Sequence, residues 1–115
     1  MTRLEHLLTI FAEECNEVAQ RATKALRFGL HEIQSGQGFT NGDRIWCEFY
    51  DLLGIMEMLK NEPGGLAKPP YTQEEGIAGK RNSVELYLKY SAKLGTVDGH
   101  QSPAGLPKDD DGAKP

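Results

Sequence analysis

At 115 residues the chain has room for one domain with a modest core. Its formal net charge of −4, with acids and bases interleaved and no basic block, argues against polymeric nucleic acid as a partner. No apolar run approaches membrane-spanning length, and the opening Met1-Thr2-Arg3-Leu4-Glu5-His6 carries an acid in its first turns, unlike a secretory leader.

The first element predicted is a helix from Thr2 to about Phe28. Leu4, Leu7, Leu8, Phe11, Cys15, Val18, Ala22 and Ala25 recur at the three-and-four spacing of an amphipathic helix, and Gly29 is a stop signal. Gln34-Ser35-Gly36-Gln37-Gly38 reads as a flexible, turn-forming segment. Thr40 or Asn41 then offers an N-cap, with Asp43 in the first turn of a second helix. Ile45, Phe49, Leu52, Leu53, Met56 and Leu59 form the second helix's apolar stripe, and Asn61-Glu62-Pro63-Gly64-Gly65 ends it.

Pro69-Pro70 marks an extended connector, since each proline removes a donor and restricts the residue before it. A third helix is predicted from Thr72 or Gln73 to Leu94, with Ile77, Val84, Tyr87, Leu88 and Ser91 at helical spacing. Gly76 and Gly79 predict a weak or broken first half, and Gly95 closes the helix. Residues 96–115, rich in Gly, Pro and Asp, read as a flexible or disordered tail behind a helical domain spanning residues 1–95. The fold class expected is all-α. Three helices in so short a chain leave apolar stripes uncovered, so the expected architecture is a helical bundle completed by oligomerisation.

Cys15 and Cys47 both fall in apolar helical patterns without ligand-type spacing. They are expected to be buried thiols, which fits a reducing, cytoplasmic setting, the host cytoplasm if the chain is viral. His6, His31 and His100 fall at a helix start, in a loop and in the tail, and are expected on the surface.

The chemistry is concentrated in acids. Glu14 with Glu17, and Glu48 with Asp51, are each three apart on a predicted helix, and each pair forms a two-carboxylate claw on one face. Charge runs are usually solvated faces. Here, however, Glu14 and Glu17 abut Cys15 and Val18, and Glu48 and Asp51 flank Phe49 and Leu52, so each claw borders a core-facing seam. Like charges gathered there need a neutralising cation, and an all-oxygen donor set suits Mg2+ or Mn2+. A di-iron bundle is disfavoured, because no Glu is followed three positions later by His.

The pattern Glu-Glu-x-x-Glu at Glu13, Glu14 and Glu17, then Glu-x-x-Asp at Glu48 and Asp51, on successive helices, resembles the MazG-like all-α nucleoside triphosphate pyrophosphohydrolases. The resemblance covers residues 4–94. Ala22-Thr23-Lys24-Ala25-Leu26-Arg27-Phe28-Gly29 is similar to the basic continuation of the first motif helix in small phage-type members. The gap between the motifs is somewhat long for the family, and the glycine pair in the third helix is atypical.

The resemblance implies hydrolysis of a nucleoside triphosphate by water attack at the α-phosphorus, giving monophosphate and pyrophosphate. Glu14, Glu17, Glu48 and Asp51 would be ligands to Mg2+ or Mn2+, and Glu13 or Glu17 the acceptor of the water's proton. Lys24, Arg27, Lys80 and Arg81 are the candidate phosphate contacts, with Lys89 on the third helix and Arg21 on the first also able to serve: Arg21 and Lys24 follow Glu14 and Glu17 at seven-residue spacing on the same side, and Lys24 is favoured. For Arg21, Lys24 and Arg27 a helical ion pair is at least as good a reading. Trp46 and Tyr50 are candidates for stacking on a base, with core packing or a subunit interface the competing duty of Trp46. A homodimer or homotetramer is expected, with a pocket that borrows residues from a neighbour. A narrower resemblance is to phage enzymes that hydrolyse dGTP or GTP in supplying 2-aminoadenine synthesis. The alternative is a non-catalytic helical module that binds a nucleotide or docks a protein through Leu52, Leu53, Met56 and Leu59.

Overall fold

The computed structural model describes residues 1–98, and all of the regular structure in them is helical: α1 (Arg3–Phe28), α2 (Asn41–Asn61) and α3 (Gln73–Leu94). The protein is all-α. Most of the predicted tail, with His100, lies outside the described residues. The chain divides into two compact units, Met1–Lys68 carrying α1 and α2, and a second beginning at Pro69 that carries α3.

Each helix starts where a threonine can serve a free N–H. Thr2 caps α1 by accepting from the N–H of Glu5, and the Glu5 carboxylate returns the bond to the Thr2 N–H. Thr40 and Asp43 repeat this box at α2, at 3.0 and 3.1 Å. At α3 the Thr72 hydroxyl accepts from the Glu75 N–H. These reciprocal bonds satisfy donors that a helix cannot satisfy internally and fix the first turns.

In the first unit α1 and α2 pack along each other as an antiparallel hairpin. At its open end the Arg3 guanidinium donates to Glu62 at 2.9 Å. At its closed end the Asn41 side chain, almost wholly buried, donates to the carbonyl of Gly29 at 2.9 Å and to Glu32 at 3.2 Å. The backbone N–H groups of Asn41 and Gly42 reach the carbonyls of Glu32 and Leu30, and Arg44 donates to Gln34. Residues 29–34 of the loop are therefore fastened to the N-terminus of α2, and the segment read as turn-forming holds a turn in which the Gln37 N–H donates to the Gln34 carbonyl. After α2 the chain reverses through Gly65, where any side chain would run into the carbonyl of Leu59.

The seam is narrower than the sequence stripes suggested. On α1, Leu4, Leu7, Phe11, Glu14, Val18, Arg21 and Ala25 are buried or half-buried, one face of the helix. On α2, Ile45, Glu48, Leu52, Ile55 and Leu59 answer them. Leu8, Cys15, Ala22, Phe49, Leu53 and Met56, expected in the stripes, are exposed. Cys15 and Cys47 are free, exposed thiols, contrary to their expected burial: each sits next in sequence to a seam acid, and one residue turns a side chain about 100° away.

In the second unit α3 runs through Gly76 and Gly79 without the break that was one reading of its first half. Strong end signals hold it: Thr72 and Glu75 at the start, and at the end Gly95 in the left-handed region, its N–H turned back to Ala92. The Tyr71 ring lies against Gly76, filling the space a side chain there would take. No helix among the described residues is long and apolar enough to cross a membrane.

Candidate metal centre

Midway along the hairpin, α1 contributes Glu14 and Glu17 and α2 contributes Glu48, with ligand oxygens all within 4.8 Å of one another. Glu14 and Glu48 occupy seam positions that would otherwise hold apolar side chains. One carboxylate oxygen of each, Oε2, is buried and has no hydrogen-bond partner. Glu17 and Asp51 follow three residues later on their helices, a rotation of about 60° short of a full turn. In an antiparallel pair the same rotation on both helices leads to the same flank, so Glu17 and Asp51 rim one side of the seam.

The electrostatics follow from this crowding. Burial raises the Glu14 pKa above its ordinary value, and the charges of Glu17, Asp51 and Glu13 add to the rise. Burial likewise raises Glu48, reinforced by the neighbouring Glu17 carboxylate and by the charges of Asp51 and Glu14. Four carboxylates thus act on one another across two helices. Desolvated oxygens without donors are costly, and a hard divalent cation is the species that would satisfy several at once. Glu14, Glu17 and Glu48 could hold such an ion, with Asp51 beside them. Glu13 is exposed next to Glu14 and acts on it through its charge.

The other candidate residues are placed unevenly. Lys24 is half-buried on the flank of Glu17, with its ammonium 6.0 Å from the centre of the Phe28 ring. Arg27 is exposed and stacked on that ring at 4.8 Å. Lys80 and Arg81 are exposed on α3, and Lys89 is half-buried there. Trp46 and Tyr50 are each about 60% exposed and lie two residues either side of Glu48, which turns them to the outer face of α2. There they pack with one another at 5.8 Å and with Phe49, so the hairpin does not bring them to the acids. Two half-buried cations, Arg21 and Arg44, share the acidic flank by helical position. Arg21 was a lesser candidate than Lys24, and Arg44 was not singled out; only its position four residues before Glu48 could have drawn attention to it.

The chain matches no family model, and comparisons with curated proteins and with solved structures return no match.

Proposed function

We propose that this protein is a metal-dependent nucleotide pyrophosphohydrolase, converting a (d)NTP to (d)NMP and pyrophosphate. The observation that carries the proposal is the convergence of Glu14, Glu17 and Glu48 across the helix pair, with buried, unpartnered oxygens on Glu14 and Glu48. The order of the acids, Glu-Glu-x-x-Glu on one helix and Glu-x-x-Asp on the next, supports the same activity through the resemblance to MazG-like enzymes.

Glu14, Glu17, Glu48 and Asp51 would hold Mg2+ or Mn2+, which would offset the triphosphate charge and lower the pKa of a water. The seam around Glu14 and Glu48 keeps one oxygen of each out of bulk water, and ligand oxygens of Glu14, Glu17 and Glu48 lie within 4.8 Å of one another. Glu17, exposed at the rim, is placed to take a proton from the attacking water, and Glu13 is its alternate. Self-association belongs to the same proposal. Leu8, Phe49, Leu53 and Met56 are exposed on the hairpin, and a second copy would cover them.

The test is a panel of NTPs and dNTPs with Mg2+ or Mn2+, with the products separated. Metal-dependent monophosphate plus pyrophosphate is the expected result, and a guanine bias would favour supply of 2-aminoadenine synthesis. Absence of turnover by a helical, assembled protein would leave a non-catalytic nucleotide-binding or protein-interaction module.

A further inference from the structure

Asn41-Gly42 is the one Asn-Gly step in the chain; Asn16, Asn61 and Asn82 are followed by Glu17, Glu62 and Ser83. Such a step is chemically reactive, because a glycine nitrogen, with no side chain beside it, can swing onto the amide carbon of the asparagine before it. The fold hides this step and leaves the other three asparagines exposed: Asn41 is only 2% exposed, at the closed end of the hairpin. Its Nδ2 donates to the Gly29 carbonyl at 2.9 Å and to a Glu32 carboxylate oxygen at 3.2 Å. The attacking nitrogen is held as well, since the Gly42 N–H donates to the Leu30 carbonyl at 2.9 Å. Asn41 is also the first residue of α2, and helical backbone turns that nitrogen away from the line of attack.

We infer that Asn41 is a spontaneous deamidation site, latched by the closed end of the hairpin and released when that end opens. The inference is independent of the hydrolase reading. Once the loop lifts, the Gly42 nitrogen loses its proton and bonds to Asn41 Cγ, the Cγ–Nδ2 bond breaks, and ammonia leaves with a proton. Water then opens the cyclic imide, giving aspartate when it attacks at Cγ and isoaspartate when it attacks at the Asn41 main-chain carbonyl. One water is consumed and one ammonia released, with no oxidant or reductant. The product cannot latch again. A carboxylate has no N–H to give, and it would face the Gly29 carbonyl and the Glu32 carboxylate, acceptors against an acceptor at a buried site. Modification thus turns a fastening into a repulsion, in one direction only, at the start of the helix that carries Glu48 and Asp51.

Incubation of the full chain at mildly alkaline pH, with peptide mapping by mass to score amide and acid at each asparagine, tests the inference. In the folded protein Asn41 should convert at least about tenfold more slowly than in the same chain unfolded in urea, because the reaction must wait for a local opening. Glu32→Ala removes one of the two acceptors of Nδ2 and should speed the folded-state reaction about fivefold with helicity intact, whereas Glu32→Gln keeps an acceptor and should stay near the original. Gly42→Ala should slow the reaction even in urea, since a side chain then crowds the attacking nitrogen. Asn41→Asp, which reproduces the main-chain-intact product, should lower the thermal midpoint by at least about 4 °C. Equal rates in folded and unfolded chain, no acceleration in Glu32→Ala, an acceleration that Glu32→Gln shares, or an Asn41→Asp midpoint at or above the original would each overturn the latch. Glu32 is exposed, so the rate comparisons decide the matter even where Asn41→Asp fails to fold.

Discussion

Glu14 and Glu48 are carboxylates at positions where a packed helix pair ordinarily places leucine or alanine, and their behaviour without metal should reveal it. Each has its folded pKa above the ordinary 4.5. The native state therefore keeps a proton that the unfolded chain has released, so the stability these two groups contribute is present below about 4.5 and is lost as pH rises through the raised values. The thermal midpoint of metal-free protein should fall from that pH toward neutrality, and Glu48→Gln, which cannot ionise, should flatten the fall. At neutral pH, Mn2+ at about a hundred times its Kd should restore about 2.7 kcal/mol to the original chain and far less to Glu48→Gln. The same variant should lose at least about a hundredfold in turnover with helicity intact, a larger effect than that of an outer-shell residue. Circular dichroism melts and product assays read these outcomes. The acids themselves were legible in the sequence from their spacing. That Glu14 and Glu48 lie within the seam was not, because the face a helix presents depends on its partner, and Leu8, Cys15 and Ala22 made an equally apolar rival stripe.

Helix boundaries were the most legible feature of the fold, because they are written in local chemistry. Gly29, Thr40 and Gly95 lie at the ends the sequence assigned to them, and α3 opens from Thr72. Propensity left open a break in the first half of α3 at Gly76 and Gly79, which the helix spans without interruption. The two glycines are not equivalent. A methyl group on Gly79 would meet open space, so Gly79→Ala should stabilise α3 by roughly 0.5–1 kcal/mol through lower entropy of the unfolded chain. A methyl on Gly76 would come within 3.1 Å of the Tyr71 ring, so the gain there depends on that ring moving aside. The closed end of the hairpin offers the opposite case. Asn41→Ala would strip the donor from the Gly29 carbonyl and from Glu32 at a buried site, and should cost about 1–3 kcal/mol. Urea melts of the three variants, compared with the original chain, measure both signs.

At the scale of the whole molecule, the apolar residues fully buried among those described are Leu7, Ala25 and Leu59, a small core for helices of these lengths. Many large apolar side chains are exposed, and on the α1–α2 hairpin the placement of these is not random. One residue beyond Glu14 and Glu48 come Cys15 and Phe49, a rotation of about 100° on each helix. Equal rotation on antiparallel helices again leads to one flank, here the one opposite Glu17 and Asp51, and Leu8 and Met56 fall on it by the same count. The hairpin thus has an acidic flank and an apolar one, so a second copy could cover the apolar flank while leaving the acids open to a nucleotide. Replacing Leu8 and Met56 together by lysine should keep the helices, since both side chains are exposed, and should move the protein toward monomer in sedimentation equilibrium. The charged pair stands away from the acids, so metal affinity should survive even where assembly does not. An unchanged mass would place any interface elsewhere, and a monomeric parent chain would remove self-association from the proposed function while leaving the candidate metal centre, whose acids all lie on one hairpin, standing on its own test.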